Sequence, residues 1–126
     1  MPIDNPGIIS AYLFTKVETR DLAAASGNVS YTGYGFQPSA LIICGRIGAQ
    51  GSIGISEPGL TEQGVCVVLT LDGEFNADIA NFYPTLNNRV TAVVLTYDPD
   101  GFTLTWTKLG VPTGIATLIV IALKGA

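Results

Sequence analysis

Histidine occurs nowhere in these 126 residues, and much of the chemistry open to a small domain goes with it. The imidazole ring is the usual general base behind a serine or cysteine nucleophile. It is also the commonest transition-metal ligand. Cys44 and Cys66 are the only cysteines, standing singly in the apolar runs Leu41-Ile42-Ile43-Cys44 and Val65-Cys66-Val67-Val68. No further ligands stand at zinc-site spacing around them. Free cysteine behaves as a small hydrophobe, so two buried thiols are expected in a chain made in the cytosol. A disulfide would need the two strands to be neighbours, which the sequence leaves open.

Carboxylates are the remaining reactive groups, because a glycosidase needs only two of them about 5–10 Å apart. Ten are present. Asp72, Asp98 and Asp100 fall in turn signals, Glu57 stands beside Pro58, and Glu62 lies in a loop. Such positions usually stabilise turns or solvate the surface. Asp98-Pro99-Asp100-Gly101 has two acids, but not the further acids and terminal Glu of a helical calcium loop. Gly45-Arg46-Ile47-Gly48-Ala49-Gln50-Gly51 has no Lys-Ser/Thr after it and no helix to open, both of which a phosphate loop needs. No catalytic residue, metal or cofactor is expected, and an enzyme is not the favoured reading.

Aromatic side chains on loops are the last candidates for a site. Tyr31, Tyr34, Phe36, Phe82 and Tyr83 lie in or beside expected loops. They either plug the ends of the domain or, exposed, stack on sugar rings. Tyr34, Phe36, Phe82 and Tyr83 are the candidate loop contacts for a cell-surface glycan.

The elements that would position these residues are strands. Residues 1–10, with Pro2 and Pro6, are expected to form an extended arm, and residues 11–126 a single domain. Strands are expected over residues 8–16, 28–32, 40–45, 52–56, 65–71, 74–80, 89–97, 102–109 and 115–124. Residues 18–25 have fair helix propensity but suit a turn equally. Residues 81–88, with Pro84, are expected to be a loop. Asp100-Gly101 between two β-rich runs is a strong hairpin signal. Phe102, Leu104 and Trp106 then share a buried face, and Thr103, Thr105 and Thr107 a wet one. Short strands punctuated by Gly, Pro and Asp turns indicate an all-β antiparallel sandwich, jelly-roll-like.

Composition bears on partners. Hydrophobic residues make up 48% and charged residues 13%, about half the charge of a typical soluble domain. Part of the surface is therefore expected to meet protein. With a net charge of −4 and its six cations scattered singly, the chain offers no footprint for nucleic acid or an anionic membrane. Met1-Pro2-Ile3-Asp4 does not read as a secretory signal. The apolar stretch from Ile115 to Leu123 is far shorter than the roughly 20 residues of a membrane-spanning helix. It is apolar on both strand faces, as is Ala40 to Gly45, so both strands are expected to be covered on both sides. Ile115, Leu118, Ile119, Val120 and Ile121 are the candidate contacts to neighbouring subunits.

Two segments resemble a type of small β protein encoded in tailed-bacteriophage genomes. One is Ala25-Ser26-Gly27-Asn28-Val29-Ser30-Tyr31-Thr32-Gly33-Tyr34-Gly35-Phe36-Gln37-Pro38-Ser39-Ala40-Leu41-Ile42, with Ser52-Ile53-Gly54-Ile55-Ser56. The other runs from Tyr97-Asp98-Pro99-Asp100-Gly101-Phe102 through Trp106-Thr107-Lys108 to Gly110-Val111-Pro112-Thr113-Gly114. The resemblance covers most of residues 25–124 and implies a virion component: a capsid decoration or head-fibre protein, or a tail-fibre module. It carries no catalytic residues. The expectation is a subunit of a small oligomer, favouring a homotrimer, on the virion, with the major capsid protein as partner. The alternative is a tail-fibre module recognising a cell-surface glycan.

Overall fold

The structure, a computed structural model, describes residues 12–59, 61–67, 73–85 and 87–125. The expected arm therefore lies outside the described residues. The described chain is all β, in ten strands. They are β1 (Tyr12–Asp21), β2 (Gly27–Tyr31), β3 (Ala40–Ile47), β4 (Gln50–Ser56), β5 (Gln63–Val67), β6 (Gly73–Asn76), β7 (Ala80–Thr85), β8 (Asn88–Asp98), β9 (Gly101–Leu109) and β10 (Ile115–Lys124).

Two antiparallel sheets pack face to face, in the orders β1-β10-β3-β4-β5-β6 and β2-β9-β8-β7. The outermost elements wrap as in a jelly roll, first strand with last (β1 with β10) and second with next to last (β2 with β9). Inside that wrap, β3 to β6 and β7 to β9 run as meanders.

The β8–β9 hairpin forms where Asp100-Gly101 predicts it, with Asp98 opposite Gly101. Only glycine fits there, because a Cβ on Gly101 would run into the Tyr31 carbonyl. Phe102, Leu104 and Trp106 are buried, as their alternation requires, and pack with Leu41, Ile43, Ile79, Phe82, Leu118 and Val120 between the sheets. Trp106 Nε1 donates to Tyr31 Oη at 3.0 Å, so the buried indole keeps its partner.

Two local expectations are corrected. The residues read as helix or turn continue β1 to Asp21, and then turn. Asp21 Oδ1 accepts the Ala23 amide at 2.9 Å, an Asx turn that competes with a helix. The loop expected over 81–88 is mostly β7. Pro84 is tolerated because β7 is an edge strand and its register shifts between Phe82 and Thr85.

Candidate functional site

The outer face of the six-stranded sheet is where this fold departs most from an ordinary sandwich. Alternation along each strand sends every second residue outward. The register aligns those residues into rows across the sheet. One row runs Val17, Ile119, Cys44, Ile53, Val65, with an apolar residue on each of five neighbouring strands. The next runs Thr15, Ile121, Ile42, Ile55, Gln63. Leu13, Leu123 and Ala40 follow beyond it. On the other side, Thr19, Thr117 and Arg46 form a polar border.

These side chains face solvent. Val17 is 63% exposed, Ile53 52% and Ile119 48%. Leu13 and Ile55 are exposed, and Ile42, Cys44, Val65 and Ile121 half-buried. Together they form one contiguous apolar patch crossing five strands, whereas apolar residues on a monomer's surface are normally scattered singly. Ile42, Ile53, Ile55, Gln63 and Val65 also line a shallow hollow on this face.

Strand β4 shows why the face is apolar by construction. Its inward residues are Ser52, Gly54 and Ser56, all buried, and its outward ones include Ile53 and Ile55. The usual polarity is inverted, and the inward residues have a reason to be small or polar. They meet the chain from Ile79 into β7, an edge strand of the other sheet, and Tyr97 of β8. Ser52 Oγ accepts the Asn81 amide at 3.0 Å, and Gln50 Oε1 accepts the Tyr83 amide at 3.0 Å. Gly54 lies against Ile79, where any Cβ would collide with its carbonyl. Ser56 Oγ pairs with Tyr97 Oη at 2.6 Å. Main-chain groups of β7 that would otherwise be buried unpaired are thus satisfied across the sandwich.

The face ends at β1, whose inner side carries charge at a sheet edge. Arg20 donates to the Ala25 carbonyl at 2.9 Å and stacks over Trp106. Glu18 accepts from Tyr34 Oη at 2.9 Å, and Lys16 Nζ donates to the Thr32 carbonyl at 2.7 Å. Inward charges on an edge strand discourage edge-to-edge pairing.

The sequence-derived contacts separate on inspection. In β10, Ile115 and Ile119 are exposed and Ile121 half-buried, all on the outer face. Leu118 and Val120 point into the core and are fully buried, so they are corrected from subunit contacts to core residues. Of the two faces on which β10 and β3 are expected to be covered, the inner one is covered within one chain. Cys44 is a half-buried free thiol on the outer face, not a core residue. β4 lies between β3 and β5, so the strands bearing Cys44 and Cys66 are not neighbours. The Cys66 side chain lies outside the described residues.

The aromatic candidates do not form a platform. Tyr34 is 3% exposed and Phe82 fully buried, which corrects both as ligand contacts. Tyr31 is buried and stacks on Phe102. Phe36 is half-buried against Tyr12, at the end where β3 begins. Tyr83 is half-buried beside Gln50 at the opposite end, under the Arg89 guanidinium. Burial of Tyr34, reinforced by its bond to Glu18, pushes its phenol far above the usual range. Burial also raises Tyr31 and Tyr97.

Several carboxylates work as braces. Asp100 accepts the Gly35 amide at 2.7 Å and the Gly33 amide at 3.0 Å, which holds its carboxyl below the ordinary range. Glu62 Oε1 accepts the Val94 amide at 2.9 Å, where β8 shifts register around Leu95. Asp98 accepts from Thr96 and Thr103, both at 2.7 Å.

Sequence reasoning missed Leu13, Val17, Ile53 and Ile55. The signal present was Ser52-Ile53-Gly54-Ile55-Ser56 itself, an alternation that says one face is apolar without saying which face is outside. Compared with known proteins, the chain matches no family model, no curated protein and no solved structure.

Proposed function

We propose that this chain is a non-enzymatic structural component of a tailed-bacteriophage particle, an outer capsid decoration protein or head-fibre subunit, working as a small oligomer. The observation that carries the reading is the uncharged apolar sheet face, built on a sandwich rigid enough to present it. Such a face stabilises an assembly by removal from water, at about 25 cal/mol per Å² buried, with no chemistry required. The phage context rests on the resemblance of residues 25–124. The favoured homotrimer and contact with the major capsid protein belong to the same proposal. Immunogold labelling of source virions with antibody to this chain tests it. Gold over the head supports decoration, gold at the tail end moves the protein to a tail-fibre role, and unlabelled particles overturn the virion assignment.

A further inference from the structure

We propose that the outer face of the β1-β10-β3-β4-β5-β6 sheet is a homotypic interface, the face of one copy packing on the same face of another, with Cys44 close to its own counterpart. The inference deepens the assembly reading and rests on its premise that this face docks protein.

Three observations select a second copy as the occupant. The first is breadth. Solvent-facing or half-buried apolar side chains span five neighbouring strands, a breadth suited to a sheet-on-sheet contact. The second is shape. The face is an extended sheet with β-branched Val17, Ile119, Ile53 and Val65 aligned in one row. A sheet of this kind is covered best by another sheet, with side chains interdigitating about 10 Å apart, and every copy of the chain supplies one. The third is charge. Ionic groups on this face stand at its margin, as with Arg46 beside Thr117 and Asp21 opposite Ile115. Nothing charged in the central rows repels a second copy, and nothing charged there selects a foreign partner.

The central row places Cys44 on the third of six strands, near the middle of the face. A face packed on its own counterpart is isologous and has a twofold axis, which brings the thiol near its mate.

The test uses the full chain carrying Cys66→Ser, so that Cys44 is the single thiol. Light scattering during size exclusion, over a micromolar dilution series, gives the mass. A short bismaleimide linker then probes Cys44 proximity. An oligomer that crosslinks through Cys44, and that Ile53→Lys converts to a folded monomer, supports the proposal. So does the same conversion by Val17→Lys, which guards against a fault peculiar to one site. A monomer throughout the series overturns it, including a monomer whose face is shielded from a hydrophobic dye by its own residues 1–11. An oligomer indifferent to both lysines also overturns it. Failure here with gold still on the particle removes the homotypic interface alone. An oligomer of the expected kind with unlabelled virions removes the phage assignment alone.

Discussion

Asn81 and Ser52 belong to different sheets, yet the Asn81 amide donates to Ser52 Oγ at 3.0 Å in a buried setting. The bond ties the edge of the four-stranded sheet to the inner side of β4. It explains why a serine occupies a core-facing position while isoleucine faces out. Ser52→Ala should leave the buried amide without an acceptor and lower stability by about 1–3 kcal/mol. Urea unfolding checks this, and an unchanged midpoint would show that the bond contributes nothing net.

Gly54→Ala should be worse than its size suggests. The added methyl would meet the Ile79 carbonyl, part of a backbone that cannot step aside as a side chain can. Overpacking of this kind costs about 1–3 kcal/mol and sometimes more. Thermal unfolding of the variant, beside Gly51→Ala in the same strand, where a Cβ would approach nothing closer than 3.9 Å, separates the clash from glycine's general flexibility.

Adjacent residues of β10 should respond oppositely to substitution. Leu118→Ala empties a core position and should cost about 2–5 kcal/mol. Ile119→Ala, on the exposed face, should change monomer stability by less than about 1 kcal/mol. Equal costs in denaturant titrations would contradict the assigned faces.

Tyrosine titration supplies a pH test. The folded chain holds Tyr31, Tyr34 and Tyr97 protonated above the ordinary phenol range. A group whose folded pKa is raised contributes stability that is complete below its unfolded value, about 10, and is lost as pH rises beyond it. Ultraviolet absorbance should show these three phenols ionising late, near the onset of alkaline unfolding. Five tyrosines ionising together near the free value, in a chain still folded, would refute the burial argument.

Asp100 gives the acid counterpart. Its folded pKa is lowered by the Gly35 and Gly33 amides, so its contribution is present above the unfolded value near 3.9 and fades as pH falls through the folded one. Asp100→Asn should speed hydrogen exchange at the Gly33 and Gly35 amides at neutral pH. Unaltered protection there would mean the clasp does not hold the loop.

How far the sequence can be read differs from strand to strand. In β9, Phe102, Leu104 and Trp106 alternate with threonines and are buried, and the hairpin follows. Of the threonines expected on the wet face, Thr103 is corrected to a buried residue, bonded to Asp98 and Ser30. In β10 both faces are apolar, and nothing in Ile115–Lys124 distinguishes Leu118 from Ile119; only the register with β1 and β3 does. The expected loop at β7 failed for a related reason. Its strand character comes from pairing with β8 and from the acceptors on β4, both remote in sequence. Tyr34 and Phe82 were misplaced because proximity to a turn in sequence says little about which way a ring points.

The inverted β4 also bears on how its alignment with its neighbours is chosen. In most sandwiches a strand finds its register because hydrophobic residues are drawn inward. Here that attraction argues for the wrong answer: a slip of one residue would turn Ile53 and Ile55 toward the interior. What forbids the slip is lack of room, since the space beside Ile79 does not accept even a methyl group. The strand is placed by exclusion, and a mutation that enlarged this gap would invite a misregistered fold with its isoleucines hidden and its apolar outer face lost.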